Sequence, residues 1–156
     1  MSDVFPATPE LEAETKTLVF AQFDERTALA LGLKLVEMAQ AEALPVVINI
    51  RSADRCYFHA AMPGATPLND LWAARKSATA LLFQQPSLLV GNRHRDRGET
   101  LAKHGLPEAG YADHGGAVPI WLRGIGVVAC ATVSGLPQVD DHRLVVRVIQ
   151  ELISAS

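Results

Sequence analysis

The stretch His114-Gly115-Gly116-Ala117-Val118-Pro119-Ile120, running on through Gly124-Ile125-Gly126-Val127-Val128 to Ser134-Gly135-Leu136-Pro137, narrows the possible folds of this chain more than any other. Two apolar runs rich in β-forming residues stand back to back, with glycine where the backbone must turn or approach another group closely. They predict strands over 117–123 and 125–134. Pro119, near the start of the first, points to a sheet edge or a bulge there. After the Ser-Gly-Leu-Pro turn, Leu144, Val145, Val148, Ile149 and Leu152 repeat at helical spacing, with Arg143, Arg147 and Glu151 off the stripe. A hairpin therefore feeds an amphipathic helix. Polar residues collect at both ends of this unit: His114 at one, and Ser134, Asp140, Asp141 and His142 at the other. The two aspartates also suit the positive end of the helix, where the dipole favours acids.

The same reasoning orders the rest of the chain. Residues 1–16 read as an N-terminal arm or short helix, and 17–156 as a single domain. A short strand is expected within 17–23. Asp24 then caps an amphipathic helix over 24–42, whose interior Gly32 marks a point of close packing. Dense β-branched residues predict a buried strand over 45–50, followed by a turn and an antiparallel partner over 56–60. Thr66-Pro67 makes an N-cap and first-turn pair for a helix over 67–83. The run 91–98 reads as a basic, flexible loop, either a lid that binds anions or a solvated excursion. One or two helical turns follow at 99–104. This order gives an α+β domain, an antiparallel sheet with helices on its faces.

A chain of 156 residues buries about two thirds of its unfolded surface and so can hold one core without metal or disulfide support. The formal charge of −3 offers no electrostatic reason to bind nucleic acid or acidic membranes. The longest apolar runs fall well short of the roughly 20 residues that span a bilayer. The first 14 residues are acidic and lack the basic start of a signal peptide, so a cytoplasmic location is expected. Cys56 and Cys130 stand apart in strand-like runs and read as buried free thiols.

Three places offer chemistry. His59 lies on a strand face where it contacts a ligand or cofactor if that face lines a groove, and is an ordinary hydrogen-bonding histidine otherwise. Trp72, Arg75, Lys76 and Thr79 recur at helical spacing, so an indole and two cations share a surface suited to a flat anion. The third place is the pair of hairpin ends, with His114, Gly115, Gly116, Ser134, Gly135 and His142. Ser134 lacks the Gly-x-Ser-x-Gly elbow of a hydrolase nucleophile. Asp141, His142 and His114 have no metal-ligand spacing, and no glycine-rich phosphate loop or Cys-x-x-Cys-His haem-attachment motif is present. Neither a catalytic residue nor a metal site is assigned.

The ordered set Pro63-Gly64-Ala65-Thr66, Asn69-Asp70, Trp72, Arg75-Lys76, then 114–120, then Val133 to Pro137 and Asp140 to Val146, resembles a family of small uncharacterised proteins. These are grouped with the GlcG/HbpS-like, so-called haem-degrading domains, and the resemblance covers residues 18–152. It implies a profilin-like α/β/α layered fold, assembly into homo-oligomers, and in wider relatives haem or iron binding. Together with the residues, it gives three readings. The first is an oligomeric protein holding a flat anionic ligand such as haem on Trp72, Arg75, Lys76, His114, Gly115, Gly116, Ser134, Gly135 and His142, with His59 and His114 toward the cofactor. The second is a structural or adaptor homo-oligomer. The third is a metal-assisted or redox enzyme using His114 and His142.

Overall fold

A computed structural model describes residues 4–156. Helix α1 spans Thr8–Thr15, followed by the two-residue strand β1 (Val19–Phe20) and helix α2 (Glu25–Ala41). The hairpin β2 (Val47–Arg51) and β3 (Cys56–Ala61) leads to α3 (Pro67–Phe83) and α4 (Ser87–Arg97). A 3-10 turn at Leu101–His104 precedes β4 (Ala117–Leu122), β5 (Gly126–Ser134) and α5 (Gln138–Ser154). The strands form one sheet in the order β1-β4-β5-β2-β3. Its four longer strands pair antiparallel, as the sequence predicts, whereas β1 adds a parallel edge through Val19 to Trp121 and Phe20 to Leu122.

Strand alternation sorts the side chains into two layers. Ile48, Ile50, Val118, Ile120, Ala129, Ala131 and Val133 face α2 and α5, where Leu31, Leu35, Val145, Val148 and Ile149 complete the main core. Cys130 and Thr132, on the opposite face, meet α3 at Ser77 and Ala80. The helix starts have local causes. Asp24 accepts hydrogen bonds from the N–H groups of Arg26 and Thr27, and Asn69 Oδ1 accepts from the Thr66 N–H at the start of α3.

Gly32 of α2 sits directly on the Phe58 ring, where a Cβ would lie 2.4–2.6 Å from ring carbons. Pro119 is paired to Cys130 on one side only, because β1 does not reach it, and a bulge follows between Ile120 and Trp121. Cys130 is buried, but Cys56 is exposed because β3 is an edge strand.

The segment 91–97 departs from expectation: it is the second half of α4, ended by the left-handed Gly98. Its inward face is polar, and each group is answered individually. Asn92 donates to the Pro6 carbonyl, His94 faces Asp113, and Arg93 reaches Glu12 and Gln85. Arg95 hydrogen-bonds Asn92 and lies over the Phe5 ring at 3.8 Å. Hydropathy shows no apolar stripe across such a face, so the run reads as loop. No helix among the described residues is long and apolar enough to cross a membrane.

Gly32→Ala tests the packing beneath α2. Alanine would gain about 1 kcal/mol in helix propensity, but the overlap with Phe58 costs about 1–3 kcal/mol. A lower urea midpoint is expected, and it should recover in part when Phe58→Leu is added.

Candidate functional site

Residue types on α3, on the Gly115-Gly116 turn and at the start of α5 build a groove of about 270 Å³. Trp72, Lys76, His114, Gly115, Ser134 and Gly135 line it, so the structure brings these expected positions together. Asn69, Leu136, Gln138 and Asp141 line it too. Sequence reasoning placed Asp141 in the polar cluster at the hairpin end but, reading it as a helix-end acid, gave it no binding role. The available signal was its position on the apolar stripe of α5, three and four residues before Leu144 and Val145, where a carboxylate needs a partner.

That partner is Lys76, 2% exposed and held among three acceptors. Its Nζ donates to the Val133 carbonyl at 2.7 Å, the Gly115 carbonyl at 3.0 Å and Asp141 Oδ2 at 3.1 Å. Asp141 in turn accepts from the Leu136 N–H at 2.9 Å and the Gly135 N–H at 3.4 Å. The floor of the groove is thus an ion pair whose donors and acceptors are filled by the chain itself. Gly116, at φ +135°, lets the backbone pass the ammonium where a Cβ would come within 2.4 Å of Nζ. Gly135, at φ +150°, similarly passes the Pro45 carbonyl.

The walls differ. Trp72 and His114 meet edge to face with centroids 5.0 Å apart, and the Arg75 guanidinium lies 4.4 Å over the indole while donating to the Glu108 carbonyl. His114 is half-exposed. Partial burial pushes its imidazole below the usual value, the Lys76, Arg75 and Arg95 cations push the same way, and the Asp113 carboxylate, 3.8 Å from Nδ1, opposes them. A neutral imidazole at neutral pH follows, with a lone pair for a metal or a donor.

Arg75 and Gly116 stand behind the lining, against Trp72 and Lys76, and two further expected positions lie elsewhere. His142, 1% exposed, turns Nε2 away to Glu14 of α1 at 2.7 Å. Successive residues on a helix diverge by about 100°, so Asp141 and His142 serve different sides of α5. His59 stands on the edge strand between Asn49 and Asp70, at 3.0 and 2.9 Å, outside the groove lining.

Burial raises the Asp141 carboxyl from 3.8 to about 6, against the opposing pull of Lys76 and the two backbone donors. Because the folded value lies above the unfolded one, the stabilisation linked to this group is complete below pH 3.8 and is lost as pH rises through about 6. In 13C-aspartate NMR, one carboxyl should titrate near pH 6 and vanish in Asp141→Asn; titration of every aspartate in the ordinary range would contradict it. Lys76→Met leaves the buried Asp141 carboxylate without its counter-charge and should cost about 3–5 kcal/mol in urea unfolding at neutral pH, much of it restored by adding Asp141→Asn.

The family described as haem degrading protein HbpS-like matches residues 23–150. A UPF0303 protein of Streptomyces coelicolor is 46% identical over 149 residues, covering 95% of this chain and 94% of that protein. The crystal structure of the Ybr137w protein superposes with a TM-score of 0.86 at 30% identity, over 95% of this chain and 88% of that one. A PduOC:heme complex shares the fold with a TM-score of 0.70 at 22% identity, over 84% and 94% of the two chains. By the family match and by likeness along almost its whole length, this chain belongs to the HbpS-like family of haem-degrading-type proteins.

Proposed function

We propose that this protein binds a flat, anionic small molecule at the mouth of the Trp72–His114 groove, with haem as the leading candidate. The observation that carries this reading is His114 itself: a half-exposed imidazole, held against an indole and biased toward its neutral form chiefly by partial burial. Neutral imidazole is a haem-iron ligand, and an aromatic wall with a guanidinium above it suits a conjugated ring bearing carboxylates. A structural neighbour of the same fold is a haem complex, which supports the choice.

Size sets the mode of binding. A groove of about 270 Å³ is smaller than the roughly 300–1,000 Å³ of pockets that enclose drug-sized ligands. It therefore takes one edge of a macrocycle and leaves the rest outside. Lys76 is already neutralised by Asp141, so attraction for carboxylates falls to Arg75. A bound haem would supply redox-active iron; the protein's part is to position it through His114, Trp72 and Arg75.

The leucines exposed on helix surfaces, Leu29 and Leu33 on α2 and Leu68 and Leu71 on α3, favour a homo-oligomer as a second reading. Light scattering decides it: Leu29→Asp with Leu33→Asp should lower the mass of an assembly that uses the α2 face.

Titrating tag-free protein with hemin should produce a shifted Soret band that saturates near one equivalent per chain. His114→Ala should remove the shift while His59→Gln keeps it. An absent shift, or one indifferent to His114→Ala, would sink the haem reading.

A further inference from the structure

We infer that His94 and His104 form a binding site for a divalent transition-metal ion such as zinc, separate from the groove. His94 stands on the buried face of α4, and His104 ends the 3-10 turn beyond Gly98. Their Nε2 atoms face each other at 3.2 Å. Two imidazole nitrogens, each about 2.0–2.1 Å from a tetrahedral zinc, lie about 3.3 Å apart, so the pair already has the spacing that chelation requires.

The surroundings fit the same purpose. His94 Nδ1 is 2.7 Å from Asp113 Oδ2, and a carboxylate there takes the N–H, which leaves the Nε2 lone pair pointing at His104. Metal-bound histidines are commonly oriented by a carboxylate on the far nitrogen, which fixes the tautomer and raises basicity. Phe83 packs edge-on against both rings, with centroids 6.3 Å from His94 and 5.1 Å from His104, and restrains their orientation. His94 is buried and His104 exposed, so an ion enters from the His104 side.

Without metal, His104 Nε2–H donates to His94 Nε2. On binding, that proton moves to His104 Nδ1 or to solvent, and both Nε2 lone pairs turn to the ion. Asp113 offsets part of the added charge. Among the described residues no cluster of three or more histidine, cysteine or carboxylate groups is ready to hold a metal. The other coordination positions are therefore left to water, and imidazole donors favour zinc, copper or nickel over magnesium or calcium.

The test uses the full, tag-free chain stripped of metal, titrated with Zn²⁺ by calorimetry and with Co²⁺ by visible absorption. One ion per chain is expected, with ligand-field bands for cobalt. His104→Gln changes an exposed side chain, so an unchanged urea midpoint should accompany a loss of affinity of about 10-fold or more. His114→Ala should leave binding unchanged. Three results would each overturn the assignment: no saturable binding, binding unaltered by His104→Gln, or binding lost instead with His114→Ala.

Discussion

The Lys76–Asp141 pair holds the two halves of the fold in register. A buried ammonium and a buried carboxylate are each costly, and they are tolerated only when paired and hydrogen-bonded throughout. Here the lysine comes from α3 on one face of the sheet and the aspartate from α5, whose apolar stripe covers the other. The carbonyls of Gly115 and Val133 fill the remaining positions on the ammonium, so the start of β4 and the end of β5 are tied to both helices at one atom. The groove exists because these four segments converge there. Its floor is electrically spent, and its walls include the Trp72 indole and the half-exposed His114 imidazole.

Much of this could be read from residues alone, for identifiable reasons. The helix at 67–83 begins where Thr66-Pro67 says it should, and Gly32 lies where α2 meets the Phe58 ring. Local rules suffice there, since caps, turns and alternation act within a few residues. The convergence of Trp72, His114 and Ser134 was legible only as an assumption that the hairpin ends meet the middle helix. His142 shows the limit of such reasoning: beside Asp141 in sequence, it is turned to Glu14 by a single helical step.

What stayed hidden was polar burial and long-range pairing. Half of α4 buries asparagine and histidine and half-buries an arginine, each answered by specific partners, and no average over hydropathy reveals that. The parallel seam between β1 and β4 joins residues about a hundred positions apart, and no local pattern encodes it. Asp113 combines both difficulties. One of its oxygens meets His94 and the other approaches His114, so a single loop residue lies between the histidine pair and the groove.

The sheet's two margins are finished differently, and this bears on how copies can associate. Along β4, the outer side is covered by β1 at Trp121 and Leu122 and lacks an N–H at Pro119, while β1 itself is too short to template a neighbour. The opposite margin is the six-residue β3, which among the described residues pairs with β2 and no other strand. Lateral growth of the sheet, whether into an ordered pair or into an aggregate, is thereby confined to the Cys56–Ala61 side, where an exposed thiol lies at its end.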